Sequence, residues 1–210
     1  NWTNCNSDVP QDGDGIVFNI ASTPAQGQST QTLDNDLNIS YSAVSSSTTS
    51  QTPLSGYEFA NNLSLSAGAV WDSATKLGLN MASGKTITVA GDFTVQSGEI
   101  WQSVTAGTVT LKNGAFLYDK AFTASTFTGL TIENGAGIYC YGGDTDVSIT
   151  YPITLGGGSG TQKPIINPSG CGPTSSNSTT LANVALLGDA EVGVYAPGVF
   201  TVTNLTANAH

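Results

Sequence analysis

The chain has 210 residues, enough for one well-formed core, and no composition break divides it in two. It is acidic, with 15 Asp and Glu against 5 Lys, no Arg and a net charge of -10, so it lacks the charge-neutralising attraction that nucleic acids and anionic membranes require. No apolar run approaches the roughly 20 residues of a spanning helix, so neither nucleic-acid binding nor membrane insertion is expected.

The chain opens at Asn1 without a charged and apolar leader, as a mature form after signal removal or a cloned fragment does. Asp8, Asp12 and Asp14 crowd the turn DVPQDGDG. Carboxylates on one flexible loop suit Ca²⁺, although the spacing is not that of an EF-hand, and the same residues also read as a plain solvated turn. GIVFNIA, from Gly15, and DLNISYSAV, from Asp36, read as strands, followed by the polar loop SSSTTSQTP. Residues 1–60 are expected to form an N-terminal cap and the first coil or coils, continuous as one domain with repeats over 61–210. A cap is needed because an open solenoid end exposes strand edges.

From Leu63 onward a short pattern recurs: apolar, Thr or Ser, apolar, two variable residues, Gly, then an apolar pair. VTLKNGAFLY (from Val109) and LTIENGAGIY (from Leu130) agree position by position. LSLSAGAVW (from Leu63), LNMASGKTI (from Leu79), FTVQSGEIW (from Phe93) and ITLGGGSG (from Ile153) fit it to varying degrees. Alternating apolar residues predict short strands with one buried face, and the Gly permits a positive φ at a sharp bend. Stacked coils place equivalent positions in the same environment, which explains why the units resemble one another. Hairpins of an antiparallel β-sandwich, the alternative, allow the resemblance without requiring it. The expected fold is therefore all-β, a parallel β-helix of about six to eight coils. Trp71 and Trp101 share the ninth position of their units and Tyr118 and Tyr139 the tenth, while Asn113 and Asn134 are placed to form an amide ladder.

Cys5, Cys140 and Cys171 show no C-x-x-C spacing. They are either buried thiols or include a Cys140–Cys171 disulfide, which would stabilise by roughly 3–4 kcal/mol and leave Cys5 over. N-x-S/T triplets at Asn1, Asn38, Asn62, Asn177 and Asn204 would accept glycans in a cell that glycosylates them. In the tail, one short helix from Leu181 to Leu187 competes with further strands, which the Val and Thr content favours. His210 is the only histidine and either native or the stub of a purification tag.

NWTNCNSDVPQDGDGIVFN, followed by LDNDLNISYSAV and then LSLSAGAVW, resembles the start of bacterial repeat-type surface proteins of the autotransporter-passenger and adhesin sort. These open with a Trp-Asn rich stretch, a turn matched here by Val9, Pro10, Gly13 and Asp14, and an apolar strand. The resemblance covers roughly residues 1–160 and implies a right-handed parallel β-helix displayed at the cell surface.

Enzyme chemistry finds few candidates. A lyase of this fold would need a base beside carboxylates, yet Arg is absent and Lys76, Lys85, Lys112, Lys120 and Lys163 show no clustering with Asp pairs. A hydrolase would need paired carboxylates; Asp144 with Asp146, and Asp92 with Glu99, are the pairs available, and both also read as turn formers. Nucleophilic triads lack an interior histidine. No catalytic residue is assigned, and no cofactor beyond a possible Ca²⁺. Thr-x-Thr triplets at Thr86, Thr108, Thr126 and Thr201 suit an ice-binding face, but unequal coil lengths predict a ragged array. The expected function is a noncatalytic extracellular scaffold or adhesin. Trp71, Trp101, Tyr118 and Tyr139 are its candidate contacts to a cell-surface glycan, a protein or other copies of itself, and the same rings also read as core filling. A self-assembling filament subunit, a polysaccharide-active enzyme and an ice-binding protein are the alternatives.

Overall fold

The computed structural model describes residues 16–18, 31–33, 37–39, 43–46, 56–59, 63–65, 67–73, 78–81, 86–100, 103–118, 125–139, 146–167, 177–193 and 198–207. Side chains are described for 64–65, 67–71 and the segments from 86 onward. All regular structure among these residues is β, and every strand pair is parallel.

The chain coils into a parallel β-helix with three faces. The first face stacks β1 (Ile16–Phe18), β4 (Ala43–Ser46), β7 (Ala69–Ser73), β10 (Phe93–Ile100), β12 (Thr108–Leu111), β14 (Gly129–Ile132), β16 (Val147–Leu155), β18 (Thr179–Leu186) and β20 (Phe200–Ala207). The second stacks β2 (Gln31–Leu33), β5 (Gly56–Phe59), β8 (Gly78–Met81), the end of β10, β13 (Ala115–Tyr118), β15 (Gly137–Tyr139), β17 (Ile165–Asn167) and β19 (Glu191–Val192). The third holds β3 (Leu37–Ile39), β6 (Leu63–Leu65), β9 (Ile87–Val89) and β11 (Val104–Thr105), with a bridge from Thr105 to Thr126. The first halves of β16, β18 and β20 pair with one another, each just ahead of a first-face stretch of the same strand. Among the described residues the first face holds nine strands, one per coil, more than the six to eight coils expected. The extra ones come from residues 1–60, whose described strands already pair in parallel with those that follow.

Phe93, Val109, Leu130, Ile153 and Val184 stand in one register column, and Val95, Leu111, Ile132 and Leu155 in the next. All point inward and are buried. On the second face Ile100, Leu117, Ile138 and Ile166 form a third buried column. Each such side chain removed from water contributes roughly 1.5–3 kcal/mol, so the stack is the main stabilising element. The bends between first and second face use glycine in the left-handed region: Gly114 has φ 86° and Gly135 φ 80°. Ala115 and Ala136 N–H groups close these turns on the carbonyls of Lys112 and Glu133.

The units starting at 93, 109, 130 and 153 stack as the repeat predicts. Those starting at 63 and 79 do not, because Leu63–Leu65 lies on the third face and Leu79 on the second. Every face is built from the same apolar, variable, apolar triplet, so a template for one face matches all three. Residues 181–186 continue β18 as strand, in line with their Val and Thr content rather than with a helix.

Candidate functional site

On the second face the alternation that sends Leu117 and Ile138 into the core sends Phe116, Tyr118 and Tyr139 outward. Tyr118 and Tyr139 are register partners on adjacent strands, and Phe116 pairs with Gly137. Lacking a side chain, Gly137 leaves room for the Tyr139 ring, whose Cε2 sits 3.2 Å from where a Cβ would be. The ring leans onto Phe116 at 5.2 Å between centroids, tilted by 57°. Tyr118 donates its hydroxyl to Glu99 Oε1 at 3.2 Å, and Glu99, only 5% exposed, is held beneath it. Asn167 follows Tyr139 in register, and its buried Oδ1 accepts no protein hydrogen bond. Burial first, and the Glu191 carboxylate second, hold the Tyr139 phenol above its ordinary value, so it is neutral and able to donate across the physiological range. The result is a half-exposed strip of rings with polar groups between them on a rigid sheet.

Trp71 does not belong to this strip. It is 0% exposed and pairs in register with Val44 on one side and Val95 on the other, inside the coil, so it cannot stack on a sugar. The frame that set it beside Trp101 starts on the wrong face, as the overlap of β6 with the repeat template explains. Its Nε1 has no hydrogen-bond partner. Trp101 lies outside the described residues.

Other sequence candidates are dispersed. Asp146 is exposed and accepts from the Ser178 N–H at 2.8 Å, a backbone-tying role, while Asp144 lies outside the described residues. Asp92 accepts from the Thr108 N–H at 3.1 Å and is exposed, whereas Glu99 is sequestered under Tyr118, so the two do not act as a pair. Asp8, Asp12, Asp14, Cys5, Cys140, Cys171, Asn1 and Asn62 lie outside the described residues, as does the side chain of Asn38. Among the described residues no group of three or more acids, histidines or cysteines is close enough to hold a metal ion. Asn177 is half-buried and Asn204 exposed. An amide ladder does form, but from Asn204 Nδ2 to Asn183 Oδ1 at 3.1 Å and on from Asn183 Nδ2 to the Thr150 carbonyl at 3.3 Å. At the position expected for it, the Asn113 carboxamide instead fills the space over Gly135.

Comparison of the chain with protein-family models, with curated proteins and with solved structures returns no match.

Proposed function

We propose that the chain is a noncatalytic extracellular scaffold or adhesin module that presents its second face to a cell-surface glycan or protein. The carrying observation is the outward, register-paired Tyr118 and Tyr139. Aromatic side chains with a polar tip supply large contact area at small conformational cost, and here the sheet has fixed them before any ligand arrives. The setting this suits is the displayed stalk of a bacterial surface protein of the autotransporter-passenger or adhesin kind, to which the opening of the chain bears its resemblance. The apolar triplets of each coil build wall, and the residues left to vary face outward, which is the economy expected of a display scaffold.

The test is binding of the purified protein to glycan arrays and to whole cells, with Tyr118→Ala and Tyr139→Ala beside the wild type. A tenfold or greater loss of affinity, about 1.4 kcal/mol, is expected from each with the β-type dichroism retained, Tyr118→Ala also lowering the melting temperature because it uncovers Glu99. Binding that both variants leave intact, or no binding to any cell or glycan surface, would remove the proposal.

A further inference from the structure

The third face carries a column of exposed hydroxyls; the registered threonines of the first face, Thr94, Thr110, Thr131 and Thr154, are half-buried. Ser64, Thr88, Thr105 and Thr126 stand in successive register, and Ser148, Thr180 and Thr201 form a second registered row in the later coils. Thr88, Thr105, Thr126, Ser148 and Thr201 are exposed, while the residues on either side of Thr88, Thr105 and Ser148 are buried and those beside Thr201 pack against the core. Thr86, Thr128, Thr150 and Thr203, two positions along the chain from column members, are exposed as well and lie on the same side of the strand. Within each row the members are register partners despite the unequal coil lengths. Strand pairing keeps Ser148, Thr180 and Thr201 in register, and the one irregularity of this stretch falls after Ile149, at Thr150 and Tyr151.

A parallel sheet repeats such groups about 4.7–4.9 Å apart across strands and about 6.6 Å apart along them. Threonine is stiff at χ1, so each methyl and hydroxyl is set in place in advance. Among the described residues of the two rows, 87–89, 104–105, 126–128, 147–150, 179–181 and 200–203, no side chain is charged and no ring points outward. Asp146, beside Val147, is tied to the Ser178 backbone. A small soluble ligand has no use for so long a row of identical weak contacts. A solid whose own groups repeat can engage all of them at once, and many weak contacts then add into tight attachment. Crystalline polysaccharide would call for outward rings to stack on sugars, and those sit on the second face. Ice calls for what is present: hydroxyls that join its hydrogen-bond network, methyls that order the water between them, and no charge to hold a competing hydration shell.

We propose that this hydroxyl face binds the surface of ice, its Thr and Ser side chains anchoring ordered water in register with the crystal. The tyrosine face plays no part, so this inference stands apart from the adhesive function. The test grows a single ice crystal slowly in a dilute solution of the fluorescently labelled full chain, with thermal hysteresis measured on the same sample. Wild type should be incorporated into the ice, facet the crystal and show hysteresis. Thr105→Lys and Thr126→Lys, both at exposed positions, should be excluded from it while keeping the wild-type dichroism spectrum and melting temperature. Tyr118→Ala should be incorporated like wild type. Exclusion of the wild type, equal incorporation of the lysine variants, or retention on crystalline cellulose or chitin that Thr105→Lys abolishes would each overturn the proposal.

Discussion

At Gly160 a methyl group has nowhere to go, because a Cβ there would fall on the carbonyl oxygen of Asn134, and backbone cannot swing aside as a side chain can. Gly160→Ala is therefore expected to cost about 1–3 kcal/mol, read as a lower urea midpoint at unchanged slope. Tyr151 carries a second residue-scale consequence. It packs against Phe127 at 5.4 Å, and burial pushes its phenol above the ordinary value of 10.0. The folded state thus holds this proton where the unfolded chain has begun to release it. Its contribution to stability is complete below pH 10 and is lost as pH climbs above that value. Melting temperature measured from pH 8 to 12 should fall on the alkaline side, and Tyr151→Phe should show a shallower fall; an identical profile would mean that the phenol ionises as freely in the folded state as in the unfolded one.

At the scale of the strand, the cost of a truncation depends on where in the stack it falls. Ile138 is 0% exposed between Leu117 and Ile166, whereas Val192 closes the same column at 52% exposed. Ile138→Ala should cost about 2–5 kcal/mol, and Val192→Ala well under that, in chemical denaturation. The strands themselves were legible, because alternation in Val109–Leu111 or Ile153–Leu155 reports one buried side whatever the partner. Which face a strand occupies was not legible. Leu63–Leu65 and Phe93–Val95 carry the same pattern, and only pairing with Ile87 or with Val109 separates them. That ambiguity left Trp71 open to a surface reading as well as a core one, and the structure places it in the core. Tyr118 and Tyr139 escaped the ambiguity because their two units share one coil geometry residue for residue. The Tyr118 bond to Glu99 had no sequence signal: β10 bends from first to second face with one residue fewer than the next coil, so Glu99 pairs with Phe116 and not where spacing places it.

For the whole molecule, nearest-neighbour stacking means that a complete coil is a removable unit. Val109 and Leu130 are register partners, so excising residues 109–129 joins Thr108 to Leu130 with every later strand still in phase. The shortened chain should fold, with the parent's β-type dichroism per residue and a lower melting temperature; a disordered or aggregated product would show that the coils are not equivalent. The central claim is the parallel register itself, and nuclear magnetic resonance of the labelled protein tests it most directly. Cross-strand contacts are predicted between the backbones of Val109 and Leu130, Leu111 and Ile132, and Leu117 and Ile138, pairs 21 residues apart, without short Hα–Hα contacts between sequence-adjacent strands. Short Hα–Hα contacts joining β12 to β13, or β14 to β15, as antiparallel hairpins would contradict the coil and return the chain to a sandwich.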